Sequence, residues 1–106
     1  MGEQNSAELL KTKLQNIYSL MLSNARNRRP VHPLVYAKYI QDIIDLFNGL
    51  TEFNIVINHL RLIIKRIRSH IEYNAHNMES MYCQEISQVI NMVDQISKIS
   101  NQDKNK

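Results

Sequence analysis

Between Thr51 and Tyr73 the chain reads TEFNIVINHLRLIIKRIRSHIEY, and its apolar positions follow a helical period. Phe53, Ile57, Leu60, Ile64, Ile67 and Ile71 recur at alternating spacings of four and three. At about 100° of turn per residue they fall in a narrow band, so one face of a long helix is almost wholly apolar. Arg61, Lys65, Arg66 and Arg68 crowd the other faces, and no acidic residue lies between Glu52 and Glu72. The pattern predicts a helix over residues 52–73 with a core side and a basic side.

The same period recurs towards the N-terminus. Leu10, Leu14, Ile17 and Met21 form a stripe, widened by Leu9, Tyr18, Leu20 and Leu22. It predicts a first helix over residues 7–24, with an arc broad enough to be buried on more than one side. Ser6 is placed to cap it, and Glu8 sits in its first turn, where a negative charge favours the positive helix end. Residues 24–33, NARNRRPVHP, then break the pattern with two prolines, each pushing the preceding residue towards an extended conformation. A second helix follows over residues 34–48, with Tyr36, Ile40, Ile43, Ile44 and Phe47 on one face and Lys38, Gln41, Asp42 and Asp45 on the other. Pro33 suits its first turn and Gly49 its end. The turn to the third helix is so short that the two must run antiparallel.

One junction is ambiguous. Asn74–Ser80, NAHNMES, is rich in capping residues, yet Ile71, Ala75, Met78, Tyr82, Ile86, Val89, Val93 and Ile96 keep the apolar phase through it. An unbroken helix from Glu52 to Ile99 would be about 72 Å long. A compact domain of this size has a radius of gyration of about 13 Å, so half the rod would need a partner. A break instead gives a fourth helix over residues 78–100 that folds back. The fold expected is therefore all-α, a four-helix up-and-down bundle in a single domain, with polar tails at 1–5 and 101–106. The alternative is a helical hairpin plus one long C-terminal helix that forms a dimer.

Composition supports helices. Two glycines and two prolines in 106 residues are too few for the turns of an all-β fold. The net charge of +3 permits nucleic-acid or anionic-membrane partners without requiring them. Cys83 is the only cysteine and cannot form an intrachain disulfide, which points to a reducing intracellular compartment, cytoplasm or nucleus. No apolar run is long enough to span a membrane, and MGEQNSAELL lacks the basic start and apolar centre of a secretory signal. Met1-Gly2 with Ser6 fits a loose acylation pattern, but Glu3 directly after the glycine opposes it.

Four groups of residues bear on possible chemistry. The cations of the third helix could neutralise phosphates, with a log–log salt slope of about −3.6 if all four engaged, and Arg26, Arg28 and Arg29 could extend that patch. The opposing reading is a solvated face paired with Asp42, Asp45, Glu79 and Glu85. Ile55 and Leu62, one heptad apart beside Arg66 and Ser69, lie opposite the core stripe. Burying both would contribute about 3–6 kcal/mol of gross apolar transfer, enough to anchor a partner helix. His59 and His70 share a stripe with Arg66 between them, a cation that repels a metal. Glu72, His76, Glu79 and Cys83 would share a face only on an unbroken helix. No glycine-rich phosphate loop, nucleophile elbow or paired Glu-x-x-His motif is present, so neither enzyme, metal nor cofactor is expected, nor a small-molecule substrate.

Glu72-Tyr73-Asn74-Ala75-His76-Asn77 resembles the Glu-Tyr-Arg-Pro-His-Gln segment of Mediator complex subunit seven, without its Arg-Pro pair. No residue role is carried over from it. The function expected is a small non-catalytic helical interaction protein, an adaptor, a subunit of a larger assembly or a homodimer. Its contacts would be Ile55, Leu62, Arg66 and Ser69, with Arg61, Lys65 and Arg68 as a basic rim. The alternative is a nucleic-acid-binding bundle using the basic face of the third helix and the Arg26–Arg29 loop.

Overall fold

The computed structural model describes residues 6–29 and 31–104, with side chains through Lys98. Four helices account for almost all of it: α1 (Ser6–Asn27), α2 (Pro33–Phe47), α3 (Asn54–Glu72) and α4 (Glu79–Lys104), with one 3-10 turn at Thr51–Phe53 before α3. There is no strand among the described residues. α1 packs most extensively on α4 and α2 on α3, with lighter α1–α2 and α3–α4 contacts closing the ring. That is the up-and-down bundle the periodicity predicts.

The stripes read from the sequence face inward. Leu10, Leu14, Met21, Tyr36, Ile40, Leu60, Ile67 and Ile86 are fully buried, and Ile17, Ile43, Phe47, Phe53, Ile57, Ile64, Tyr82, Val89 and Val93 nearly so. Val56 and Ile63 join them, because α3 is covered by α2 on one side and α4 on the other and so needs a wider arc than one stripe. Leu9 and Leu20 depart from expectation: the α1 arc is not buried on all its apolar sides, and both residues stay exposed.

The break between α3 and α4 has a defined cause. Asn74 takes a left-handed φ of 56°, its amide donates to Ile71 O at 3.0 Å, and the Ala75 amide donates to His70 O at 2.8 Å. This pair of bonds closes the helix end in a Schellman motif, in which asparagine tolerates the left-handed residue better than most. Asn77 is also left-handed, at φ 60°, and α4 starts two residues later. The continuous rod is thus ruled out, and with it the dimer built on a protruding stripe. α1 ends in the same way, with Arg28 left-handed and the Arg29 amide donating to Asn24 O at 3.1 Å.

α2 begins as predicted, with Pro33 in its first turn and His32 as the cap, its Nδ1 accepting from the Leu34 amide at 3.2 Å. Its end is a type II turn: Asn48 lies at φ −64°, ψ 133°, Gly49 at φ 100°, and the Leu50 amide donates to Phe47 O at 3.2 Å. Ser6 is the first residue of α1 rather than its cap, which lies outside the described residues, as do residues 1–5. α4 continues past the expected end at residue 100 to Lys104, so most of the predicted polar tail is helical backbone. No helix among the described residues is long and apolar enough to cross a membrane.

A β-carbon added at Gly49 would meet nothing within 4 Å, so the position tests backbone conformation alone. Gly49→Ala is expected to lower the unfolding free energy by about 1–2 kcal/mol in urea titration, with an unchanged denaturant slope. A neutral substitution would mean that the turn relaxes without cost.

Candidate functional site

Three regions of the bundle carry more than core packing: the outer face of α3, the groove between α1 and α2, and a polar cluster at the end where α1 and α3 finish.

On α3, Ile55 and Leu62 are 57% and 54% exposed, and Ser69 is exposed on the same strip. Arg66, expected there as a contact cation, is half-exposed and bound to Glu85 of α4 through Nη1 and Oε2. The other carboxylate oxygen, Glu85 Oε1, is buried and has no hydrogen-bond partner. Arg66 is therefore first of all the counterion of a carboxylate that α4 holds out of water, since an unpaired buried charge is strongly destabilising. Leu62, Arg66, Ile63, His59, Glu85 and Gln88 line a shallow groove of ≈ 170 Å³ between the two helices.

Arg61, Lys65 and Arg68 are exposed on the neighbouring strip, and none forms an ion pair with a described side chain. Several acids of the bundle have partners of their own. Asp42 binds Lys38 at 2.8 Å, Asp45 accepts from Gln41 at 2.9 Å, and Asp94 binds Lys11 at 2.7 Å. Arg26, Arg28 and Arg29 are exposed too, but they belong to the end of α1, which lies diagonally across the bundle from α3. The two basic groups lie on different helices and do not share a helix face.

The α1–α2 groove is absent from the sequence expectations. It measures ≈ 440 Å³ and is lined by Lys13, Asn16, Ile17, Leu20, Tyr39, Asp42, Ile43 and Leu46. Leu9, Leu20, Val35, Tyr39 and Leu46 are large apolar side chains left exposed on these two helices, Leu46 the most at 54%. A signal existed. Val35, Tyr39 and Leu46 keep spacings of four and seven outside the α2 core stripe, just as Leu9, Asn16 and Leu20 do on α1.

The polar cluster draws on all four helices. Asn24, buried in α1, donates through Nδ2 to Tyr36 Oη at 2.9 Å, and that hydroxyl approaches Glu79 Oε2 at 3.5 Å, the limit of a hydrogen bond. Tyr82 packs edge-on against Tyr36 with ring centroids 6.4 Å apart. It also stacks on His70 at 5.7 Å and shares with its Nδ1 a 2.9 Å hydrogen bond, whose donor is set by the imidazole tautomer. Burial, and secondarily the Glu79 charge, pushes the Tyr82 phenol up to about 12 and raises the Cys83 thiol. Burial raises Tyr36 as well. The Cys83 thiol lies 3.7 Å from Tyr18 O and is buried, an inert packing residue rather than a nucleophile. The break between α3 and α4 also parts Glu72 and His76 from Glu79 and Cys83, and the described residues hold no group of three metal-ligating side chains.

No family model, curated protein or solved structure matches this chain.

The tyrosine cluster predicts an alkaline limit to stability. A phenol raised from its ordinary 10.0 to about 12 keeps its proton in the fold after the unfolded chain has lost it. Its contribution is complete below pH about 10 and is lost as the pH rises through about 12. Tyr82→Phe is expected to be less stable than the parent by about 1 kcal/mol at pH 9, through the lost His70 bond. That gap should narrow between pH 10 and 12 in urea titrations; a gap independent of pH would place the alkaline sensitivity elsewhere.

Proposed function

We propose that the chain is a small non-catalytic helical protein–protein interaction module, acting as an adaptor or subunit of a larger assembly or as a homodimer. The observation that carries this is the excess of large apolar side chains outside a core that closes without them. Leu9, Leu20, Val35, Tyr39 and Leu46 on the α1–α2 face, and Ile55 and Leu62 on α3, are all more than a third exposed. Scattered single apolar residues need no explanation, but two strips in register along helix grooves fit partner helices. The buried, reduced cysteine fits an intracellular setting, cytoplasm or nucleus, which belongs to the same proposal.

Sedimentation velocity of the wild type and of two exposed-site variants tests it. Tyr39→Asp with Leu46→Asp, or Ile55→Asp with Leu62→Asp, should fold normally and lose self-association or a defined partner. Unchanged sedimentation and unchanged partner binding in both variants would dismiss the module.

A second reading, a nucleic-acid-binding bundle, is favoured by the lack of ion pairs at Arg61, Lys65 and Arg68 and by the exposure of Arg26, Arg28 and Arg29. It requires binding to generic DNA or RNA with a log–log salt slope of about −3, reduced by about one for each phosphate-contacting cation removed. Absence of binding at low salt dismisses it.

A further inference from the structure

Outside its core stripe α2 carries a second seam. Val35, Tyr39, Asp42 and Leu46 follow one another at spacings of four, three and four, the period at which one helix packs on another, and all four are exposed. At 3.6 residues per turn they fall within about 60° of helix surface, on the side of α2 that borders α1. Leu20 of α1 lines the same groove, over a floor of buried Ile17 and Ile43. Beside the seam, on the flank turned away from α1, lie Lys38 and Asp45, exposed, a heptad apart and opposite in charge. Their contacts stay within the helix and in solvent: Lys38 holds Asp42 at 2.8 Å, and Asp45 accepts from Gln41 at 2.9 Å.

We propose that the α1–α2 face is the interface of a homodimer in which α2 packs antiparallel on α2 of a second copy. This rests on the interaction-module reading and names its partner. With the two-fold axis level with the Ile40–Gln41 peptide, Val35 meets Leu46 of the second copy and Leu46 meets Val35. Tyr39 meets Asp42, whose carboxylate accepts from the phenol. On the outer flank Lys38 comes opposite Asp45 of the second copy, and Asp45 opposite Lys38. These flanking positions are the ones whose charges set partner and orientation in paired helices. Every contact is made twice, as an isologous interface requires, and Leu20 joins the buried surface from the α1 side. The same charges reject the parallel arrangement, which would set Lys38 on Lys38 and Asp45 on Asp45. The α3 strip has no such symmetry, since pairing it antiparallel with its own copy would set Ile55 on Arg66, which Glu85 already holds. Asp42 and Asp45 disfavour a polyanion on the α2 seam. The 15 residues of α2 span only about 22 Å, so the interface is small and the expected Kd is on the order of 10–100 μM.

Sedimentation equilibrium of the full chain at about 50 mM salt tests the register through its charges. Lys38→Glu sets glutamate against Asp45 twice, and Asp45→Lys sets lysine against Lys38 twice, so each variant alone should dimerise about tenfold more weakly than the wild type. An equimolar mixture of the two restores both pairs, glutamate to lysine and Asp45 to Lys38, and should associate as the wild type does. The chain carrying both Lys38→Glu and Asp45→Lys should also recover wild-type association, which guards against a single variant that weakens the fold; circular dichroism checks each for helix. A wild type that stays monomeric up to about 1 mM overturns the proposal, as does dimerisation that either single variant leaves unchanged, or a mixture no tighter than its components with both variants helical. A monomeric wild type together with a different protein lost from the Tyr39→Asp, Leu46→Asp or the Ile55→Asp, Leu62→Asp variant would leave the interaction module standing without the homodimer. A monomeric wild type with no partner lost from either would remove both.

Discussion

The amides of Ala75 and Asn74, donating to the carbonyls of His70 and Ile71, end α3 at a point where the apolar phase would carry the helix on. Everything else in the molecule follows from that closure. It turns α4 back along the bundle, where Tyr82, Ile86, Val89 and Val93 complete a core that three helices would leave open. It also sets Tyr82 against His70 and Tyr36, so that the cap of the bundle is a hydrogen-bonded aromatic cluster instead of exposed helix ends. Two left-handed asparagines hold the reversal, and neither has a β-branched side chain that would oppose the conformation.

The closure explains why the fold was legible and where legibility stopped. Threes-and-fours spacing defines a core stripe because burial dominates helix stability, and the central stripe of each helix is legible on that ground. Phase alone does not reveal a helix end, since Ile71, Ala75 and Met78 keep step across the break. The cap-rich NAHNMES sequence supplied the missing signal. Asn24 was read as a helix end, and it is a buried donor inside α1, because its partner Tyr36 lies in another element and no local pattern announces such a bond.

The candidate surfaces were half legible for a related reason. Ile55 and Leu62 stand out on α3 because charged residues surround them. Leu9 and Leu20 were absorbed into a wide apolar arc, and Tyr39 and Leu46 hid among the polar residues of α2. Whether a wide arc is buried depends on how closely the next helix approaches, and α1 and α2 approach less closely than α1 and α4. That spacing is a property of the assembled bundle, set by which pairs interdigitate best, and it leaves the α1–α2 face open.

Arg66 shows how the structure redistributes the charge of α3. In the sequence it is one of four cations around a helix, equally available to any anion. In the bundle Glu85 claims it, so the cation within the apolar strip is paired from below, while Arg61, Lys65 and Arg68 lie further round the helix without an ion pair to a described side chain. Net charge does not reveal that division, because it is the packing of α4 on α3 that brings Glu85 to Arg66 and to no other cation of the helix.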